Sequence, residues 1–411
     1  MGVTRTKVIF EDSQFSFQTL RLLSEVPSGQ ADINEVIETA RRIPEGDIER
    51  WREEWAKTAD RVRGYAEKFE QQGHPISASE NYLRASNYYR AATFYTSLSL
   101  YDGCGEDVKN RLEELEDQSL ACFHKMLNCT PVAESVKIPF ENVSLPAYFY
   151  HVDGKPAPTL LLLNGFDGTK EEFYSYAQAA RKRGMNCLTM EGPGQGEVIQ
   201  KMHIPFRPDY EKVVTAAVDF LIRQNAVDPK RIILWGESFG GYLAPRAAAF
   251  EHRLAGCIAN SGVYDFMGFR GGKDMDRETF FSAVASMPEA QSKAMSNQMM
   301  EKSSQMNWAT KHGVYVFGAK SPQDFILKSK DYYLGGLAEQ IRCPTLVTDS
   351  NSEDNFPGQA KQLYDALRCR KDYLLFSEED GAQEHCQEGA KLYANACIFN
   401  WMENVLSEIA E

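Results

Sequence analysis

One serine in this chain has the neighbours of a nucleophile. It lies in the run Ile232-Ile233-Leu234-Trp235-Gly236-Glu237-Ser238-Phe239-Gly240-Gly241-Tyr242. An apolar stretch of strand character leads into Gly-Glu-Ser-Phe-Gly, and small residues (Ala244, Ala247, Ala248, Ala249) follow at helical density. This is G-x-S-x-G between a strand and a helix, where a sharp turn strains the serine and exposes its hydroxyl. Side chains at Gly236 or Gly240 would collide with the adjoining strand and helix. A helix starting directly after Ser238 turns its N-terminal N–H groups and positive dipole end toward the reacting centre. A purely structural glycine-rich turn is the competing reading, and the flanking pattern disfavours it.

A serine hydroxyl needs a base, normally a histidine whose tautomer is fixed by a carboxylate. In this strand–turn–helix setting the chain order is Ser, acid, His, with both partners in loops after the last strands. His385, in Glu378-Glu379-Asp380-Gly381-Ala382-Gln383-Glu384-His385, is the one histidine that fits. His74, His124, His151, His203 and His252 fall outside that order, and His312 lies in a presumed lid. For the acid, Asp354 stands at the tip of the loop Asp349-Ser350-Asn351-Ser352-Glu353-Asp354-Asn355-Phe356-Pro357, three residues before the proline. Asp349 and Glu353 remain candidates, whereas Asp380 is too near His385 along the chain. Oxyanion donors are expected from the backbone N–H of Phe239 and from the loop Asn164-Gly165-Phe166-Asp167-Gly168, with Phe166 N–H first choice. The alternative is that these are only turn residues. The loop Gly192-Pro193-Gly194-Gln195-Gly196 resembles a phosphate-binding loop, but its spacing is G-x-G-x-G and no acidic ribose partner follows. No nucleotide, other cofactor or metal is expected.

These residues require a scaffold of alternating strands and helices, and the sequence supplies one from about residue 135. Ser135–140 and 145–152 pattern as an antiparallel pair, followed by strands at 159–163, 187–190, 232–236, 255–259, 343–348 and 372–376. Helices are expected at 170–183, 210–224, after Ser238, and at 387–406. That rhythm indicates an α/β fold with a doubly wound, mostly parallel sheet. Residues 135–264 and 341–411 would form this core. Between them, 265–340 lacks strands and carries Met287, Met295, Met299, Met300 and Met306, which fits a helical lid with an adaptable apolar face, or core filling.

Residues 1–134 read as a separate helical domain covering the active site. Asp47 is placed as an N-cap, and Ile48, Trp51, Trp55, Ala59, Val62 and Tyr65 recur at helical spacing. A second helix from Ser77 carries Tyr82, Tyr88, Tyr89 and Tyr95. The plain reading of this tyrosine-rich face is packing; the sharper one gives Tyr88 and Tyr89 to a substrate pocket. At 411 residues, a core with additions is the expected organisation.

Composition narrows the partners. With 43% hydrophobic and 25% charged residues the chain is an ordinary globular protein, and its net charge of −13 disfavours nucleic acid and anionic membranes. No apolar run reaches the roughly 20 residues of a membrane span. The N-terminus lacks the apolar segment of a signal peptide, so a cytoplasmic location is expected and the sequons at Asn128 and Asn142 are read as coincidental. Gly2 with Thr6 fits only a loose acylation pattern. Nine cysteines without C-x-x-C spacing read as reduced thiols.

Taken with their surroundings, these motifs resemble the α/β-hydrolase superfamily. More narrowly, the chain is similar to the group containing 2,6-dihydroxypseudooxynicotine hydrolase and fungal polyketide-processing hydrolases of the fusarin and melanin-precursor type. The resemblance spans nearly the whole chain: Ala85-Ser86-Asn87-Tyr88-Tyr89-Arg90, Asn164 to Gly168, Glu191 to Glu197, Gly236 to Gly241, and Gly381 to Gln387. It implies cofactor-free hydrolysis of aromatic or polyketide-derived molecules, in some members at a carbon–carbon bond beside a ketone. It places the nucleophile at Ser238, the acid at Asp354 and the base at His385. One departure is Asp349-Ser350, where many relatives have His-Gly. The partner is then a small-molecule substrate; a homodimer and a polyketide synthase partner are compatible with this reading. Release or cyclisation of a carrier-bound chain by an esterase or thioesterase is the alternative within the enzyme class, and a non-catalytic binding protein the alternative outside it. A peptidase of the prolyl-oligopeptidase type would carry a propeller where this chain has helices.

Overall fold

The computed structural model describes residues 6–268 and 275–410. Gly2 lies outside the described residues. The chain divides into two compact units, one built on 135–295 with 316–411 and the other on 5–134 with 296–315.

The first unit is organised by an eight-stranded sheet: β1 (Glu134–Phe140), β2 (Val143–Tyr150), β3 (Ala157–Leu163), β4 (Asn186–Met190), β5 (Val227–Glu237), β6 (Gly256–Asn260), β7 (Thr345–Ser350) and β8 (Lys371–Phe376). Their spatial order is β1-β2-β4-β3-β5-β6-β7-β8. β2 runs antiparallel to β4, and from β4 to β8 every neighbour is parallel. This is the mostly parallel sheet of an α/β-hydrolase. Leu160 to Leu163 on β3 and Ile232 to Trp235 on β5 are all buried, as continuous apolar strands covered on both faces must be. The chain moves outward from β3 to β4 and then returns past β3 to add β5. Strand order therefore reverses at β3/β5, the kind of switch point at whose strand carboxyl ends open α/β sheets place their sites.

Two helices begin later than their apolar pattern suggests. The one expected from Lys170 starts at Tyr174; the residues before it form turns in which the Glu172 and Tyr174 N–H groups donate to Thr169 O and Glu171 O. The closing helix is Lys391–Ala410, since 385–387 form a tight turn with Cys386 and Gln387 in left-handed conformation.

The second unit is helical. Asp47 caps Ile48–Gln71 by accepting from the Arg50 N–H, as its sequence position requires. Trp51 and Trp55 are buried against the Pro75–Thr93 helix, with Trp55 and Tyr88 ring centroids 5.6 Å apart and the Trp51 indole N–H donating to Ala91 O at 2.8 Å. Tyr88 and Tyr89 are not pocket residues. Both are fully buried inside this unit; the Tyr88 hydroxyl donates to Glu35 and accepts from the Asp32 N–H, and Tyr89 donates to Asp60. The helix that carries them is packed around most of its circumference, so its tyrosines serve as core residues with a polar tip.

The expected lid, 265–340, is not one body. It contains helices Arg277–Ser286, Glu289–Lys302, Ser304–Val316 and Pro322–Ser329. Residues 296–315 belong to the helical unit, where Trp308 stacks on Phe94 at 5.3 Å, His312 Nδ1 lies 3.0 Å from the Ser97 hydroxyl and Lys311 pairs with Asp102. Among the described residues no helix is long and apolar enough to cross a membrane, and no cluster of His, Cys, Asp and Glu could hold a metal. The nine cysteines are free thiols.

The tightest backbone approach in the core is at Gly236, where a Cβ would stand 1.9 Å from Gly240 O. Backbone cannot yield as a side chain does. Gly236→Ala is therefore expected to lower stability by about 1–3 kcal/mol or more, read as a fall in denaturation midpoint at unchanged m-value.

Candidate active site

Ser238 follows β5 with φ +59°, a left-handed conformation unusual for a residue with a Cβ. Neighbouring backbone holds it there. Its N–H donates to Asn260 O at 2.5 Å, and Gly241 N–H returns to Ser238 O at 2.7 Å. The helix Gly240–Ala248 then runs off behind it. A Cβ on Gly240 would lie 2.7 Å from Leu163 O, so only glycine lets this helix start against the end of β3. Ser238 remains partly exposed.

His385 Nε2 lies 2.8 Å from the Ser238 hydroxyl, and His385 Nδ1 lies 2.5 Å from Glu353 Oε2. The expected nucleophile and base are thus brought together. The expected acid is not the one in contact: the carboxylate on Nδ1 belongs to Glu353, one position before Asp354. Glu353 is fixed for this contact because its other oxygen accepts the N–H groups of Asn355 and Phe356. Successive side chains of the irregular loop leave in different directions, and the one aimed at His385 is the longer glutamate. Asp349 is committed elsewhere, accepting from the Tyr373 hydroxyl at 2.7 Å and the Ser350 N–H. With three carboxylates within six residues, spacing alone could not separate them. The two loops are stitched together by Ser352 N–H to Gln383 O and by the Gln387 side-chain amide to the Ser350 hydroxyl.

Electrostatics favour an ion pair between base and acid. Burial alone would push the Glu353 carboxyl up, but the adjacent imidazole and the Ser261 hydroxyl bring it below its ordinary value. Burial likewise opposes charge on His385, yet neighbouring Cys386 and Glu353 raise the imidazole well above its usual range. The Cys386 thiol is itself pushed up by burial and stays neutral, so the Glu353 carboxylate is the charge that matters. Cys386 was not singled out by sequence; its sulfur lies 3.4 Å from the same His385 Nε2 that meets Ser238.

The loop after β3 is pressed onto Ser238. A Cβ on Gly165 would meet Glu237 O at 2.7 Å, Ser238 Cβ at 2.8 Å and Phe239 N at 2.9 Å. Phe166 and Phe239, the expected oxyanion donors, therefore sit on two backbone segments in contact beside Ser238. Their rings join an aromatic shell: Phe239 lies 4.4 Å from Phe266 and 5.2 Å from Phe206, and Phe317 lies 5.4 Å from Phe266. Phe356 approaches the His385 ring at 6.0 Å. Next to Ser238, buried Glu237 accepts from Tyr176, Trp235 and Asn260. A serine hydroxyl beside a carboxylate-oriented imidazole can be deprotonated for attack on a carbonyl.

Two outcomes test this arrangement. Glu353→Gln is expected to lower kcat by up to about 10⁴-fold through loss of the correct tautomer, while Asp354→Asn in folded protein should be far milder; steady-state kinetics of both variants check the ranking. An imidazole takes up the serine proton only in its neutral form, and Glu353 stabilises the charged form of His385, so kcat/KM should rise with pH through an apparent pKa above the ordinary histidine value. Residual activity of Glu353→Gln should show that limb displaced to lower pH.

A family model described as the prolyl oligopeptidase family matches residues 171–408. Hydrolyase poxO of Penicillium oxalicum is 33% identical over 395 residues, covering 90% of this chain and 92% of its own length. The 20-hydroxy-prefusarin hydrolase FUS2 of Gibberella moniliformis is 29% identical over 422 residues, covering 97% and 98%. The crystal structure of 2,6-dihydroxy-pseudo-oxynicotine hydrolase superposes with TM-score 0.71 at 21% identity, covering 94% of this chain and 95% of that one. The family match lies wholly after the helices of residues 13–129, so the absence of a propeller from that region does not set the catalytic part apart from prolyl oligopeptidases. By sequence and fold the chain is an α/β-hydrolase of the prolyl oligopeptidase family, a hydrolase whose relatives include the fungal hydrolases named above.

Proposed function

We propose that this protein is a serine hydrolase that cleaves a bond next to a carbonyl in a small, hydrophobic aromatic or polyketide-derived metabolite. The observation that carries this reading is the continuous contact from Ser238 through His385 to Glu353. Ser238 Oγ attacks the carbonyl carbon as its proton passes to His385 Nε2. The resulting oxyanion is received by the N–H groups of Phe239 and Phe166. Collapse breaks either the bond to an ester oxygen or the bond to carbon, and the leaving group takes the electron pair and the proton from His385. Water then attacks the acyl-serine, giving its proton to His385, and the second adduct collapses with His385 returning that proton to Ser238 Oγ as the acid is released. The net reaction consumes one water and requires no redox partner.

A carbon leaving group departs only where an adjacent carbonyl or electron-poor ring delocalises its charge, so the substrate determines whether ester or carbon–carbon cleavage is seen. The aromatic shell of Phe166, Phe206, Phe239, Phe266 and Phe317 supports an apolar acyl group. A relative named for hydrolysis of 20-hydroxy-prefusarin supports a secondary metabolite as substrate.

Ser238→Ala is expected to fold and to lose several orders of magnitude in kcat, with the Ser238→Ala/His385→Ala pair little worse than either alone. Additive losses would refute a shared mechanism. A size-matched ester and β-diketone, compared by kcat/KM, test the bond: diketone turnover exceeding ester turnover is expected, and ester turnover alone would make the protein an esterase or thioesterase.

A further inference from the structure

The G-x-G-x-G loop after β4 is absorbed neither by the triad nor by any ligand, yet it carries a buried glutamine whose amide is fully engaged. Gln195 Nε2 donates to Asn164 O at 2.5 Å and to Gly165 O at 3.3 Å. Gln195 Oε1 accepts from the Gly192 N–H and from the Tyr210 hydroxyl, each at 3.0 Å. Two donors and two lone pairs are thereby all used, which also fixes which end of the amide is nitrogen. Gln195 is 2% exposed, so water does not compete for these bonds. Gly192 is required for the arrangement: a Cβ there would lie 2.3 Å from the Tyr210 hydroxyl.

Asn164 and Gly165 are the residues that lead into the loop pressed against Ser238. In a planar trans peptide, C=O and N–H point in opposite directions. A donor held on Gly165 O therefore sets the direction of the Phe166 N–H, which belongs to the same peptide unit. The second bond, to Asn164 O, prevents the preceding peptide from rotating to compensate. A second anchor lies further along the loop, where the Asn164 side-chain amide donates to Thr169 O and buried Lys170 reaches Glu171, Glu191 and Glu197.

We propose that Gln195 is the positioning residue of the oxyanion hole, clamping the Asn164 and Gly165 carbonyls so that the Phe166 N–H is held for the tetrahedral intermediate. This rests on the reading of Ser238 as nucleophile. Gln195 touches no reacting atom; it acts through the peptide that does. Its contribution falls on the transition state, because the donor gains most once the carbonyl oxygen becomes an oxyanion.

Gln195→Met conserves volume and removes all four hydrogen bonds; Tyr210→Phe removes one of the two supports of Gln195. With p-nitrophenyl butyrate as probe, Gln195→Met should lower kcat about 10- to 100-fold, a share of the roughly 10²–10³ that a complete oxyanion donor supplies. KM should change less than about threefold. Inhibition by phenylboronic acid, which forms a tetrahedral adduct on the serine, should weaken by a factor similar to the kcat loss. Tyr210→Phe should move both quantities the same way and less. A folded Gln195→Met with kcat and boronate affinity within about twofold of wild type overturns the proposal. So does a loss confined to KM. If Gln195→Met does not fold, Gln195→Glu decides. The introduced carboxyl can donate only when protonated, so its kcat/KM relative to wild type at each pH should rise as pH falls. Taking that ratio cancels the titrations of His385 and of Glu191, which burial pushes up to about 7; Tyr210, raised further by burial, stays neutral. A ratio independent of pH refutes the clamp. If Ser238→Ala hydrolyses the ester as fast as wild type, the hydrolase reading itself has failed; if Ser238→Ala is inactive and the Gln195 variants are unimpaired, only this inference fails.

Discussion

The site depends on a serine held in backbone geometry that its side chain disfavours. Left-handed φ at a non-glycine residue costs about 1–3 kcal/mol and persists only where the surroundings over-determine it. At Ser238 they do so through backbone rather than side chains. Asn260 O takes its N–H, and three segments converge at distances only glycine permits: Gly236 on Gly240 O, Gly240 on Leu163 O, and Gly241 on Ser261 O. Because these contacts link the ends of β3, β5 and β6, the strain is supported by the sheet's own hydrogen-bonded ladder. Ser238 is thus placed by the central strands of the sheet.

Around this fixed point the polar groups are buried in sets that satisfy one another. Glu237 sits beneath the serine with three donors on its carboxylate, and Asn260, one of those donors, is in turn bonded by the Thr348 hydroxyl. Thr348 lies on β7, whose end carries the loop with Glu353, so β5, β6 and β7 are tied at the same level of the sheet. Lys170 is similarly enclosed by Glu171, Glu191 and Glu197. Burial alone would lower its pKa, but the three carboxylates raise it, keeping the ammonium charged. Breaking such sets is costlier than their net worth, since a partner left behind is buried without compensation. They therefore specify loop positions rather than add stability.

The geometry also separates what holds the loops from what they do. Glu353 orients the imidazole on one side of the nucleophile, and Gln195 braces the opposing loop on the other. Neither contact involves a reacting atom. In both cases a buried side chain with its hydrogen-bonding capacity used fixes a group beside Ser238, the imidazole in one and the Gly165–Phe166 peptide in the other.

Local rules were enough for the sequence to determine the fold and to single out Ser238 and His385, which the structure brings within 2.8 Å of each other. Gly236-Glu237-Ser238-Phe239-Gly240 is a single turn whose glycines answer to contacts only a few residues away, and strand rhythm follows from alternating apolar runs and helix-period segments. Chain order then left His385 as the one suitable histidine. Tertiary structure decided the rest. Asp349, Glu353 and Asp354 share a loop, and which reaches His385 depends on backbone direction and side-chain length in three dimensions, not on spacing. The helical spacing of Tyr88 and Tyr89 favours packing without excluding a pocket, and only packing against Trp55 and the carboxylates of Glu35 and Asp60 assigned them to the core. Residues 296–315 carry no local mark of membership in the helical unit, because stacking of Trp308 on Phe94 joins positions more than two hundred residues apart. Long-range contacts of this kind arise from shape and burial once the chain is folded, and a linear pattern does not encode them.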